Sequence, residues 1–332
     1  MRVLLYTGGR NAVRQSGVGT ALSHQERALA MADVDFTENP REEYDLVHIN
    51  TVLPDARWMA AKARREGKKV VWHGHSTMED FRRSFVGSNA AAPLFKKWLK
   101  SCYGSADLVL TPTEYSRKLL EGYGMGVEVV PISNGVDTGY FRKEPGQRRR
   151  FRERWGFEET QKVILCVGLP IERKGILDVI DLAGRLPWYQ FVWCGHTYAG
   201  LLPGKIRRAI ARAPGNLHFP GYLNREELRD AYGGCDLFFF PTYEETEGIV
   251  MLEALSMKIP VLVRDIPVYG DWLEHGAHVW KERDIPGFEA RIQAILDQTC
   301  PDLTERGFQA ARERDLRIVG ESLASLYRAV IR

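Results

Sequence analysis

The sequence predicts an α/β protein made of two doubly wound domains, each a parallel sheet with crossover helices. Three observations carry this. At 332 residues the chain is too long for one small core and fits two medium ones. Short apolar runs ending in polar residues alternate with helix-like stretches along its length. The alternation pauses once, at Asn134-Gly-Val-Asp137 and the charged stretch 142–154, and then restarts. The pause sets the expected boundary: residues 1–140 form the first domain and 141–315 the second. Such domains bind ligands at the carboxyl ends of their strands.

Residues 3–7 read as the first strand, the run being too short for a secretory segment. Strand-like runs follow at 46–50, 70–73, 108–111 and 127–132, with helical stretches at 19–31, 56–66 and 115–123 between them. After the pause the runs are 163–167, 191–194, 217–219, 237–240 and 261–263. The final stretch, 316–332, sets Leu316, Val319, Leu323, Leu326 and Val330 on one helical stripe.

Composition narrows the class. The apolar share of 44% and charged share of 27% are those of a globular protein. No run of about 18 apolar residues is present, which excludes a membrane-spanning helix. The five cysteines, at 102, 166, 194, 235 and 300, form no Cys-x-x-Cys. Three of them lie in strand-like runs and read as small core residues of a reducing, cytoplasmic compartment. A net charge of +3 excludes no partner, but residues 81–106 hold five basic side chains and no acidic one.

The chemistry concentrates after the run 237–240, in Pro241-Thr-Tyr-Glu244-Glu245-Thr-Glu247-Gly248-Ile249-Val250-Met-Leu-Glu253. A helical pattern starts near Gly248, where bare backbone and unpaired N–H groups suit a phosphate. Glu245 on the loop and Glu253 inside the helix flank that anion site. Two acidic acceptors around a diphosphate suit a nucleotide-sugar, whose sugars offer hydroxyls. Acidic residues also favour the first turns of ordinary helices, so spacing alone leaves a solvated acidic loop equally open.

Other segments are weighed the same way. The glycine-rich loop Gly8-Gly-Arg10 to Ser16-Gly17-Val-Gly19 precedes a helix but is neither G-x-G-x-x-G nor a P-loop. Its residues alone favour a flexible loop, with Arg10 and Arg14 facing an anion or solvent. Arg173 and Lys174 follow the strand 163–167, where two cations suit a leaving diphosphate or an exposed charged turn. His73 and His75 end the strand 69–72 and share one side by alternation. Glu79 and Asp80, adjacent in sequence, diverge and read as an acceptor-side loop or a helix cap. Asp33-Val-Asp35 is formally a D-x-D metal motif, but lies far from every other site signal. Neither histidine nor cysteine spacing suggests a metal centre. Phe81-Arg-Arg-Ser-Phe85 and Leu94-Phe-Lys96-Lys97-Trp98-Leu-Lys100 mix basic and apolar residues. That pattern fits an anionic membrane surface, or a helix with Trp98 in the core. A second basic run, 148–154, comes with no nucleic-acid module.

The segment around Glu245 and Glu253 resembles the Glu-x7-Glu signature of retaining GT-B glycosyltransferases. The resemblance covers nearly the whole chain. Glu244-Glu245-Thr-Glu-Gly-Ile-Val, Val261-Leu-Val-Arg-Asp-Ile-Pro-Val-Tyr269, His73-Gly-His75-Ser-Thr-Met-Glu-Asp-Phe and Ser16-Gly17-Val-Gly-Thr-Ala are similar to bacterial enzymes that glucosylate diacylglycerol. The resemblance implies a GT-B fold: two facing Rossmann-like domains with the active site in the cleft between them. Asn134 to Phe141 is similar to the usual interdomain linker, and the helix 316–332 is expected to pack back on the first domain. Glu245 is then expected to hold the donor sugar and Glu253 the ribose. Gly248, Ile249 and Val250 face the diphosphate, as do Ser16 and Gly17, which also face the acceptor. Lys174 matches a family lysine. Leu169 stands where the family usually has arginine, leaving open whether Arg173 replaces it. A histidine near the donor sugar is implied, and His75 is favoured over His73. The nucleotide base is expected near Asp265 and Tyr269.

The implied function is retaining transfer of a hexose, expected to be glucose, from a UDP-sugar to a lipid hydroxyl, expected to be that of diacylglycerol. No metal and no cofactor are expected, nor a nucleic-acid partner. The enzyme would be peripheral on the inner membrane face. The alternatives are the same fold acting on a soluble sugar, a polysaccharide or a protein, and a non-catalytic nucleotide-sugar-binding protein.

Overall fold

The computed structural model describes residues 1–9 and 16–332. Arg10 and Arg14 lie outside the described residues. The chain forms two compact units. Met1–Phe81, Asn89–Val136 and Arg314–Arg332 make the first; Arg82–Ser88 and Asp137–Glu313 make the second.

In the first unit, β1 (Arg2–Tyr6), β2 (Asp35–Thr37), β3 (Leu46–Ile49), β4 (Lys69–His73), β5 (Leu108–Thr111) and β6 (Val129–Pro131) form one sheet. Its order is β2-β1-β3-β4-β5-β6, with every pairing parallel. The helices are α1 (Gly17–Met31), α2 (Pro54–Arg65), the short α3 (Met78–Phe81), α4 (Ser88–Tyr103) and α5 (Glu114–Glu121). Alternation along the strands builds two cores. Leu4, Val47, Val70, Trp72 and Val109 meet Ala56, Met59 and Ala60 of α2 and Leu99 and Tyr103 of α4. Val3, Leu5, Leu46, Val71 and Leu108 face the other way, toward Ala28 and Leu29 of α1.

The second unit repeats the plan. It holds β7 (Val163–Val167), β8 (Gln190–Cys194), β9 (Leu217–Gly221), β10 (Leu237–Phe240), β11 (Val261–Arg264) and β12 (Trp280–Glu282). Their order is β12-β11-β10-β7-β8-β9, again all parallel. Its helices are α6 (Gln147–Trp155), α7 (Ile176–Arg185), α8 (Gly204–Ala211), α9 (Arg225–Gly234), α10 (Ile249–Ser256), α11 (Ile285–Leu296) and α12 (Thr304–Arg312). The strand order reverses between β10 and β7. Their carboxyl ends are therefore the switch point of this sheet, the place where open α/β sheets bind ligands.

The final helix, α13 (Leu316–Ile331), packs on α1 of the first unit. It buries Leu316, Val319, Leu323, Ala324 and Tyr327. Gly320 permits the approach: a Cβ there would lie 2.1 Å from the Ala28 carbonyl oxygen.

Two strands were not foreseen. β2 and β12 are three-residue edge strands that carry charge, Asp35 in one and Lys281 and Glu282 in the other. Short charged segments show neither an apolar run nor clean alternation. Asp35 instead lies 3.5 Å from the Arg2 guanidinium, and Asp33 sits in a turn with φ of 51°.

Candidate active site

The switch point of the second sheet gathers Lys174, Thr242 and Glu245 around one buried carboxylate. After β7 the chain passes Gly168 into the 3-10 turn Glu172–Lys174 and then α7. Gly175, at φ of 81°, closes that turn against the end of β10; a Cβ there would lie 2.5 Å from the Pro241 carbonyl oxygen. This close approach brings the Lys174 ammonium onto Glu245 Oε1, where it forms a salt bridge. The Thr242 hydroxyl donates to the same oxygen at 2.8 Å. Arg173 stands behind, its Nη1 3.7 Å from Glu245 Oε1. Its guanidinium also donates to the Glu244 carbonyl oxygen at 2.8 Å and to the Ser84 hydroxyl at 3.1 Å. Burial raises the proton affinity of Glu245. The charges of Lys174 and Arg173, with the hydrogen bonds from Lys174 and Thr242, outweigh it and hold the carboxyl below its usual value. Leu169 is partly buried and packs on the core of this unit.

Gly248 begins α10 with φ of 96°, a conformation open to glycine. Ile249 and Val250 follow as its first residues, whose N–H groups have no acceptor inside the helix. Glu253, one turn on, is 3% exposed and accepts from the Tyr232 hydroxyl at 2.8 Å. Burial, opposed only by that hydrogen bond, pushes its carboxyl up to about 8. The two glutamates of the signature thus differ in state: Glu245 is a carboxylate, while Glu253 keeps its proton at neutral pH in the free protein. Tyr232, on α9, carried no sequence signal. Asp265 pairs with Arg283 at 2.7 Å. Tyr269 is fully buried at the end of a turn after β11.

The first unit presents a separate cluster at the carboxyl ends of β3 and β4. The rings of His73 and His75 stack at 4.0 Å with 7° between planes, and His48 lies beyond His73 at 5.4 Å and 8°. His75 Nε2 lies 3.1 Å from Asn50 Oδ1, and the Asn50 amide donates to Gln25 at 2.8 Å. Gln25 reaches the His48 ring at 3.2 Å, and His48 meets the Tyr327 hydroxyl at 2.5 Å. Neither ring nitrogen of His73 has a partner among the described residues. Burial holds His48 and His75 down at about 3 and keeps His73 well below the usual imidazole value. All three rings are neutral at neutral pH. His48, Asn50 and Gln25 were missed because they come from elements far apart in sequence.

Ser16 precedes α1 in extended conformation, its side chain not capping the helix, and Gly17 is exposed. Glu79 accepts from the Tyr123 hydroxyl at 2.7 Å. The basic and apolar segment divides. Trp98 donates its indole N–H to the Val52 carbonyl at 2.6 Å and packs against the first unit's core. Phe95 packs on Phe81 with the rings tilted by 33°, and the Lys96 ammonium lies over the Tyr123 ring. Leu94, Lys97 and Lys100 face outward, Leu94 being 73% exposed. Trp58 on α2, unremarked in the sequence, is 59% exposed. In the run 148–154, Arg148 and Arg152 pair with Asp236, Arg150 with Asp230 and Arg154 with Glu227. Among the described residues no group of three or more His, Cys, Asp or Glu is arranged to hold a metal, and no helix is long and apolar enough to cross a membrane.

Comparison with known proteins follows the same lines. Residues 147–314 match the family model described as glycosyl transferases group 1, and residues 27–140 match glycosyltransferase family 4. The chain is 40% identical to the processive diacylglycerol alpha-glucosyltransferase of Acholeplasma laidlawii, over 100% of this chain and 99% of that protein. It is 28% identical to the alpha-galactosylglucosyldiacylglycerol synthase of Streptococcus pneumoniae, over 91% of this chain and 82% of that one. Among solved structures, sucrose-phosphate synthase from Thermosynechococcus elongatus shares the fold with a TM-score of 0.82 at 16% identity, over 99% of both chains. The Anabaena HepE protein, solved in complex with UDP-glucose, shares it with a TM-score of 0.78 at 15% identity, over 99% of this chain and 100% of that one.

Proposed function

The chain belongs to the group 1 glycosyl transferases, and from that premise we propose that it transfers glucose from UDP-glucose to the hydroxyl of diacylglycerol, retaining the anomeric configuration. The observation that carries the donor half is the Lys174–Glu245 salt bridge at the switch point, after β10 and before the glycine-led start of α10. The Acholeplasma relative, named for alpha-glucosyl transfer to diacylglycerol, supports the acceptor half.

In this reading the diphosphate takes the free N–H groups at Gly248, Ile249 and Val250, with Ser16 and Gly17 also toward it. Glu245 accepts from the glucose hydroxyls, Glu253 from the ribose, and His75 bonds a sugar hydroxyl. The bond from the anomeric carbon to phosphate oxygen breaks as the acceptor oxygen attacks from the same face. The acceptor's proton passes to the departing phosphate. Lys174, with Arg173 behind it, offsets the charge that grows there, so no metal is required. The exposed Leu94, Lys97 and Lys100 of α4 are the proposed contact with anionic lipid at the inner membrane face.

The test is a panel of UDP-glucose, UDP-galactose and UDP-N-acetylglucosamine offered with vesicles containing diacylglycerol. An α-glucosyl lipid from UDP-glucose is expected, its anomer read by NMR. Transfer confined to soluble sugars, or donor hydrolysis without lipid product, would overturn the acceptor assignment.

A further inference from the structure

Tyr269 is 0% exposed, and its hydroxyl has no hydrogen-bond partner among the described residues. A buried hydroxyl left unbonded costs free energy that a phenylalanine of the same shape would avoid. The resemblance noted for this region implies contact with the base, but the surroundings of the hydroxyl point elsewhere. A Cβ added to Gly248 would lie 3.6 Å from it, so the hydroxyl stands beside the bare start of α10. Burial first, and then the carboxylates of Glu245 and Glu244, push its pKa up, so it remains a proton donor. A fixed O–H beside the free N–H groups of a helix start matches an acceptor that carries negative charge.

We propose that Tyr269 is a donor-binding residue whose hydroxyl donates to a diphosphate oxygen of the nucleotide-sugar held at the start of α10. The assignment rests on the reading of that helix start as the donor site. It also accounts for the buried hydroxyl: the bond missing in the free protein is made by the ligand.

The test is Tyr269→Phe, which keeps the ring and its packing. Calorimetry with UDP, UDP-glucose and uridine, together with the melting temperature of the free protein, reads the result. Affinity for UDP and UDP-glucose should each fall about tenfold or more, as for a lost bond to a charged acceptor. Uridine binding should not change, and the free protein should melt at the same temperature or higher. A purely structural hydroxyl would lower the melting temperature instead. Unchanged UDP affinity overturns the proposal. So does an equal loss for uridine, which places the hydroxyl at the base, or a loss for UDP-glucose alone, which places it at the sugar. Lys174→Ala separates this failure from that of the site itself. If Lys174→Ala weakens UDP binding while Tyr269→Phe does not, only the Tyr269 assignment falls. If both are silent, the donor site lies elsewhere.

Discussion

Glu245 and Glu253 lie eight residues apart and are pushed in opposite directions by their surroundings. Two cations within reach keep Glu245 charged, whereas Glu253 faces one tyrosine hydroxyl. The raised pKa of Glu253 is a statement about stability. The unfolded chain ionises this group above its ordinary value of 4.5, while the folded chain holds the proton up to about 8. Its contribution is therefore fully present below 4.5 and is lost as pH rises toward 8. Glu253→Gln should thus raise the melting temperature of the free protein at pH about 7.5 by removing that penalty. Above pH about 8, where Glu253 ionises, the same variant should weaken UDP binding by about 1.5–3 kcal/mol, since ribose hydroxyls then lose a charge-assisted acceptor. Calorimetry reads both, and UDP affinity unchanged in a folded variant would remove Glu253 from the site. Lys174 and Arg173 separate by a different measurement. Lys174 touches Glu245 directly, whereas Arg173 also spends its donors on Glu244 and Ser84. Lys174→Ala should lower kcat more than Arg173→Ala, and the Arg173 loss should come with a lower melting temperature. Equal kcat losses at unchanged stability would make Arg173 the substitute for the arginine absent at Leu169.

At the scale of elements, legibility followed pattern strength. The buried central strands were visible as continuous apolar runs, since a sheet covered on both faces tolerates little else. The edge strands β2 and β12 were not, because three charged or half-exposed residues carry no period. The start of α10 was readable because Gly248 interrupts the pattern where the backbone turns left-handed. Tyr232 was not, as it reaches Glu253 from α9 through tertiary folding alone, and nothing in the sequence marked Thr242, although it stands three residues before Glu245. Helix α4 was readable as amphipathic but not by face. Sequence left Trp98 open between core and lipid, and its bond to Val52 together with core packing settles it inward. Trp98→Ala should therefore destabilise the protein by about 3 kcal/mol, read by denaturant unfolding. The proposed contact with lipid then rests on the exposed Leu94 and Lys97. Leu94→Ser with Lys97→Glu should weaken binding to anionic vesicles, more so at low salt, with little change in melting temperature. Vesicle binding that survives this pair would remove α4 from the proposed contact.

Across the whole molecule the two units carry buried ionisable groups of opposite kinds. The second holds Glu253, which favours low pH. The first holds His48 and His73, both at least nine-tenths buried, with His75 stacked at their edge. Their depressed pKa values reverse the sign. In the unfolded chain these imidazoles take protons below their ordinary value of 6.5, while in the folded chain they stay neutral to about 3 for His48 and His75. Their contribution is fully present above 6.5 and is lost as pH falls toward 3. Among the described residues the groups bonded to the stack are Asn50, Gln25 and the Tyr327 hydroxyl, and none of these is a carboxylate that would favour the charged ring. Two protons taken up only on unfolding contribute a fall in stability of about 3 kcal/mol per pH unit below pH 6, His75 adding a smaller share because it is partly exposed, and Glu253 opposes about half of this between 4.5 and 8. That slope is large against the whole stability of an ordinary domain, about 5–15 kcal/mol. Denaturant unfolding between pH 7.5 and 5 measures it. His73→Phe keeps a flat ring between His48 and His75 and removes one titrating site, so the slope should drop by about one proton, or about 1.4 kcal/mol per pH unit. An unchanged slope would mean that His73 already carries its proton in the folded state. Because the ring has no partner for either nitrogen among the described residues, the expected outcome is the smaller slope, with His73 a neutral ring between its two neighbours.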